Sequence, residues 1–242
     1  MLSRTSHEPA EGLEYAAGDL DTGEGIEAAI AGVETIVNCA GAQKGDDVKA
    51  QHLVEAAERA GVRHLVHISV VGADRVPVAS GMDRAMFGYF ESKLAAERVV
   101  ANSGLPWTTL RATQFHNLQL TVAQAMAKLP VIPVPSGVRF QPVDAGEVAD
   151  RLVELALGEP AGLVPDIAGP RIYLMADLIR GYLKAGGKRR LMLPVRIPGK
   201  AAAAVRAGAV LAPDRALGHR TWEDFLAEQV RAGSARSSPP IG

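Results

Sequence analysis

The chain has 242 residues, 48% of them hydrophobic and 22% charged, which is enough for one substantial core and too little for two independent domains. With 26 Lys plus Arg against 27 Asp plus Glu, the formal charge is -1; no overall basic field exists to gather a phosphate backbone, so nucleic acid is not expected as a partner. The single cysteine excludes an intramolecular disulfide, no His and Cys cluster has metal-ligand spacing, and no apolar run suits a signal peptide or a membrane span; a cytoplasmic protein with no membrane partner is expected.

In chain order, short β-branched runs alternate with helical patterns, the mark of βαβ units around a parallel sheet. Residues 13–17 read as a strand and 25–31 as a short Ala-rich helix, before a buried strand over 35–40. A helix over 48–60 places Val48, Leu53, Val54 and Ala57 toward one side, and Gly61 ends it as a C′ glycine should. Strand 64–71 follows, then a loop holding Gly72, Pro77 and Gly81, a long helix over 84–102 closed by Gly104, and a strand over 107–111. Beyond it, 118–129 reads as helix, and the prolines at 130, 133 and 135 impose extended, turn-rich backbone. Residues 143–157 return to helix with Asp144 as N-cap, and helices are expected over 176–185 and 200–210. Between these last two, Lys188-Arg189-Arg190 reads as a solvated turn. From Arg231 the sequence holds too few apolar groups to offset its ordering entropy, so 231–242 is expected to be disordered.

The runs HLVHISVVGADRVP, YFESKLAAERVVANSGLPWTTLRATQFHNL and FQPVDAGEVADRLVELA resemble the atypical short-chain dehydrogenase/reductase family, in its NAD(P)-binding, NmrA-like branch. The similarity extends to about residue 230. It implies an α/β, Rossmann-like parallel sheet over 1–230 that binds NADP or NAD at the carboxyl ends of its strands, with 118–142 and 165–215 forming a small substrate-pocket region. It also implies an NAD(P)-dependent oxidoreductase that moves hydride to or from a carbonyl/alcohol pair of a small-molecule substrate, as a monomer or homodimer. A non-catalytic NADP-sensing regulator and an inactive truncated remnant remain as alternative readings.

Tyr89 and Lys93 match the family's Tyr-x-x-x-Lys pattern, and residues four apart share a helical face. The resemblance makes Tyr89 the general acid/base and Lys93 the ammonium that lowers its pKa and reaches the nicotinamide ribose. Ser69, at the end of strand 64–71, matches the catalytic serine that orients the carbonyl, although Val70 and Val71 stand where active members often carry a second serine. Arg4 takes the place where an arginine accommodates the 2′-phosphate, so NADP is expected ahead of NAD. Asp19, Leu20, Ala40 and Gly41 match the adenine and ribose loops, Thr113 and Gln114 fall in the stretch bordering the nicotinamide, and His116 is given a minor substrate contact. Cys39 is read as a small buried residue.

One family element has no match: a first strand leading into a glycine-rich pyrophosphate turn. Gly23-x-Gly25-x-x-Ala28 has a related spacing but stands among Asp19, Asp21, Glu24 and Glu27, which repel phosphate. The expectation is therefore a start about 30 residues late, one β-turn-α unit short, with poor dinucleotide affinity if nothing precedes it.

Overall fold

The computed structural model describes residues 1–5, 7, 8 and 11–237, in which strands and helices alternate as the periodicity predicts. β1 (Leu2–Ser3) and β2 (Ala16–Ala17) pair in parallel, Leu2 beside Ala16. Then come α1 (Ile26–Ala29), β3 (Thr35–Asn38), α2 (Asp46–Ala60), β4 (His64–Val70), α3 (Gly81–Ala101), β5 (Trp107–Ala112) and α4 (His116–Met126). β6 (Val131–Pro135), β7 (Arg139–Phe140), α5 (Ala145–Leu157) and β8 (Gly162–Leu163) follow. The last elements are β9 (Tyr173–Leu174), α6 (Met175–Ala185), β10 (Leu191–Val195), α7 (Lys200–Ala207) and α8 (Trp222–Ser237).

The central sheet runs β3-β4-β5-β8, parallel throughout, and is the Rossmann-like core expected from the sequence. β1 and β2 form a separate parallel pair. Both faces of β4 are covered, which is why its sequence is a near-continuous apolar run. Leu65 joins Leu53, Val54 and Ala57 of α2 and Ala96 and Val100 of α3 in one cluster. On the other face Val66 and Leu110 pack with Val148, Leu152 and Leu155 of α5.

Helix ends follow local chemistry. Gly61 takes φ 70° at the C-cap of α2 as the sequence predicts, and Asp144 caps α5 by accepting from the Gly146 amide at 2.8 Å. α3 starts three residues earlier than its apolar period indicates, because Ser80 and Asp83 form a reciprocal capping box.

The second lobe departs further from the sequence reading. Residues 131–135 are a strand and not merely turn-rich backbone: β6 pairs in parallel with β10, and a two-stranded sheet tolerates Pro133 and Pro135 because each strand has a free edge. β7 and β9 form a short antiparallel pair. α8 corrects the expected disorder from residue 231, since it continues through Ser237; residues 238–242 lie outside the described residues. Trp222, Phe225 and Leu226 bury against Leu178 of α6, and Thr221 and Asp224 cap the start, so a well-nucleated helix carries the polar residues along. Among the described residues no helix is long and apolar enough to cross a membrane, and no cluster of His, Cys, Asp or Glu could hold a metal.

Candidate functional site

Parallel strands end together, so the carboxyl ends of β3, β4 and β5 form a crevice bordered by the first turns of the helices that follow. β3 leads into Asn38, Cys39, Ala40 and Gly41. Asn38 holds this turn from both sides: its Oδ1 accepts from the Ala40 amide at 3.1 Å, and its Nδ2 lies 3.1 Å from Nδ1 of His67 on β4. His67 is buried, and burial followed by the nearby Lys93 charge pushes its pKa down to about 3, so it is neutral; its Nε2 has no partner among the described residues.

Lys93 reaches from α3 under this turn. Its Nζ lies 3.0 Å from Asp46 Oδ2, with the two side chains only 5% and 3% exposed, and donates to the Ala40 carbonyl at 3.4 Å. Asp46, in the first turn of α2, is fixed by the Ala42 amide at 2.7 Å, while its own amide donates to Ser92 Oγ at 3.1 Å. A Cβ at Gly41 would stand 2.6 Å from Lys93 Nζ, so a side chain there would push the tip of the lysine out of its place. The sequence reading missed Asp46. Its signal was an acidic residue directly after Gly45, two positions ahead of the helix expected over 48–60, which in the structure begins at Asp46.

Tyr89 lies one turn before Lys93, whose Nζ is 5.8 Å from its ring centroid, and 37% of Tyr89 reaches solvent. Here the structure corrects the expected electrostatics. The phenol pKa is pushed up to about 12, first by burial and then by the Asp46 carboxylate, because the ion pair engages the ammonium that was to lower it. Tyr89 is therefore a protonated donor at neutral pH.

Ser69 and Gln114 occupy the ends of adjacent strands β4 and β5. Both are buried, and Ser69 Oγ, Gln114 Oε1 and Gln114 Nε2 have no hydrogen-bond partner among the described residues. Buried polar atoms without partners are rare and mark where a ligand or water must supply them. Thr113 is different: its hydroxyl donates to the Gln141 carbonyl at 2.6 Å and serves the fold. Gln141 in turn donates to the Gly169 carbonyl at 2.9 Å and accepts from the Ala212 amide at 3.0 Å, a clasp the sequence did not reveal.

Other expectations fall apart in space. Arg4 is exposed just beyond β1 and meets no carboxylate among the described residues. Asp19 is used within its own turn, accepting from the Asp21 amide at 2.8 Å, and Leu20 packs against the α2 core while its carbonyl lies 2.8 Å from His52 Nδ1. His116 makes no surface contact at all. It is fully buried, stacked on Phe225 at 5.2 Å and Trp222 at 6.0 Å, and burial pushes its pKa down to about 4. Cys39 is exposed rather than buried; it lies just past the end of β3, an edge strand of its sheet.

The fit to a dinucleotide divides in two. Ser69, Gln114 and the Tyr89–Lys93 pair suit the nicotinamide and its ribose. The starts of α1 and α2 do not suit the pyrophosphate, since they carry Glu27, Asp46 and Asp47 in their first turns. The glycines at 23 and 25 border a cavity of about 420 Å³ walled by Glu27, Glu55 and Arg59, which none of the site residues lines.

A sequence profile described as NAD(P)H-binding matches residues 2–157. No curated protein matches the chain. Among solved structures, the NADPH-dependent quinone oxidoreductase of Escherichia coli complexed with NADPH is 17% identical and aligns over 90% of this chain and 84% of its own, with a TM-score of 0.71. The triphenylmethane reductase of Citrobacter sp. in complex with NADP(H) is 18% identical over 91% and 84%, TM-score 0.69. A nucleoside-diphosphate-sugar epimerase from Staphylococcus aureus is 16% identical over 93% and 88%, TM-score 0.68. At these identities the likeness is one of fold.

Proposed function

Because the chain belongs to the NAD(P)H-binding family, we propose that it is an NAD(P)-dependent oxidoreductase of the atypical short-chain type that reduces a carbonyl of a small molecule. The observation that carries this reading is the pair of buried side chains, Ser69 and Gln114, that have no hydrogen-bond partner among the described residues and stand at adjacent strand ends. When bound, the reduced cofactor supplies hydride to the carbonyl carbon. Tyr89 gives its phenolic proton to the carbonyl oxygen, and Ser69 Oγ orients that oxygen by donating a hydrogen bond. Gln114 presents donor and acceptor to the nicotinamide amide, and Lys93, Ala40 and Gly41 border its ribose, with Thr113 holding the adjoining backbone.

Arg4 supports NADP over NAD, since a solvated guanidinium without a carboxylate partner among the described residues is suited to a 2′-phosphate. Asp19 and Leu20 would lie near the adenosine through backbone, as their side chains are engaged in the turn and the core. The protein is read as a cytoplasmic monomer or homodimer.

One observation favours a second reading, a dinucleotide sensor without turnover: Asp46 already neutralises the lysine that would activate Tyr89. Steady-state NADPH oxidation across aldehydes, ketones and quinones separates the two. Turnover that falls by about 10²–10⁴ in Tyr89→Phe supports the enzyme. Saturable NADPH binding with no turnover on any carbonyl supports the sensor.

A further inference from the structure

The net charge of -1 conceals a division. Residues 118–143 and 178–213 hold ten of the 26 Lys and Arg and not one Asp or Glu, which leaves 16 cations against 27 carboxylates in the rest of the chain. The fold brings these two stretches into one lobe by pairing β6 with β10. Ile132, Val134 and Met192 turn inward onto Ile179 and Leu183 of α6. The alternate positions turn outward. Leu191 stands beside Val131 and Leu193 beside Pro133, and Leu191, Leu193 and Val131 are 68%, 54% and 41% exposed. Solvated apolar side chains lying side by side on one sheet face mark an interaction surface.

Cations frame that face. Lys128, Arg189 and Arg190 join Pro130 and Leu191 around a cavity of about 390 Å³ at one end, and exposed Arg196 follows the other end of β10. None of the four pairs with a carboxylate among the described residues. We propose that this face seats the protein on an anionic lipid surface, with the outward apolar side chains entering the headgroup boundary and the framing cations resting on lipid phosphates. The protein then lies on the bilayer without crossing it. A nucleic acid satisfies the cations and leaves the apolar side chains in water. An anionic bilayer offers phosphate and apolar layers in the same plane, and so matches both halves of the pattern.

The test is sedimentation of the full chain with vesicles of equimolar phosphatidylglycerol and phosphatidylcholine, compared with phosphatidylcholine alone. Binding to the anionic vesicles only, weakened by salt, is expected. Arg189→Gln with Arg190→Gln should weaken it about thirty-fold, from roughly five-fold per cation. Leu191→Ser with Leu193→Ser should weaken it about tenfold. Both pairs are exposed, so thermal melts and NADPH affinity stay at the wild-type values, which keeps this test separate from that of the proposed function. Four results overturn the inference: no binding to anionic vesicles, binding indifferent to either pair, DNA binding that loses the same affinity in the arginine pair while the leucine pair has no effect, or a dimer that the leucine pair dissolves without any vesicle binding.

Discussion

At the scale of single residues the site turns on how Tyr89, Lys93 and Asp46 share two charges. Asp46→Asn leaves a buried ammonium without its partner and should cost about 3 kcal/mol in urea unfolding. It should also lower the Tyr89 pKa, since the carboxylate is one of the two causes that raise it; ultraviolet titration of tyrosinate against wild type reads the shift. A phenol that titrates unchanged would show that Asp46 does not act on Tyr89. Tyr89→Phe, by contrast, should leave the melting temperature where it is, because the hydroxyl makes no hydrogen bond among the described residues. Arg4→Ala should reduce NADPH affinity about tenfold and leave NADH affinity alone; equal loss for both would place Arg4 away from the 2′-phosphate. The spacing of Tyr89 and Lys93 was legible in the sequence, and so was their place after β4. The sign of the electrostatic effect was not, because the deciding charge, Asp46, lies 47 residues away from Lys93 in the chain.

At the scale of elements, what could be read depended on whether the signal was local. The strand at 64–70, buried on both faces, and the caps at Gly61 and Asp144 announce themselves within a few residues. The capping boxes Ser80–Asp83 and Thr221–Asp224 are equally local and were legible as S-x-x-D and T-x-x-D, yet the glycine- and proline-rich loop before α3 and the polar stretch from residue 231 within α8 masked them. The pairing of β6 with β10 was not legible, since it joins segments about 60 residues apart and runs through prolines. The Gln141 clasp is of the same kind. It ties Thr113, Gly169 and Ala212 together from four places in the sequence, directly beneath the strand end that carries Gln114. Gln141→Leu leaves the Gly169 carbonyl and the Ala212 amide without side-chain partners and should cost roughly 2–4 kcal/mol in chemical denaturation. A loss below about 1 kcal/mol would mean that the clasp does not hold the lobe.

At the scale of the whole molecule, buried histidines shape the response to acid, His67 and His116 most strongly. His67 and His116 have pKa values pushed down to about 3 and about 4, mainly by burial, against 6.5 for an unperturbed histidine. The unfolded chain binds their protons first as pH falls, so stability is full above pH 6.5 and drops as pH falls toward 4. His116 alone accounts for on the order of 3 kcal/mol over that interval. Urea midpoints measured from pH 7 downward should trace the decline, and His116→Phe, which keeps the stack on Trp222 and Phe225, should flatten part of it. An unchanged slope in the variant would assign the acid sensitivity to other groups. Whole-chain averages also explain why the basic lobe escaped a reading based on net charge: the excess of 11 carboxylates over cations outside it, 27 against 16, cancels the ten cations within it.

The account rests on the claim that the carboxyl ends of β3, β4 and β5 receive the dinucleotide. Hydrogen–deuterium exchange with and without NADPH tests it most directly. The predicted result is slowed exchange confined to residues 38–42, 69–72 and 112–116, where Ala40, Gly41, Ser69 and Gln114 border the crevice. Slowed exchange centred on α1 and the cavity beside Arg59, or no change at saturating NADPH, would contradict it.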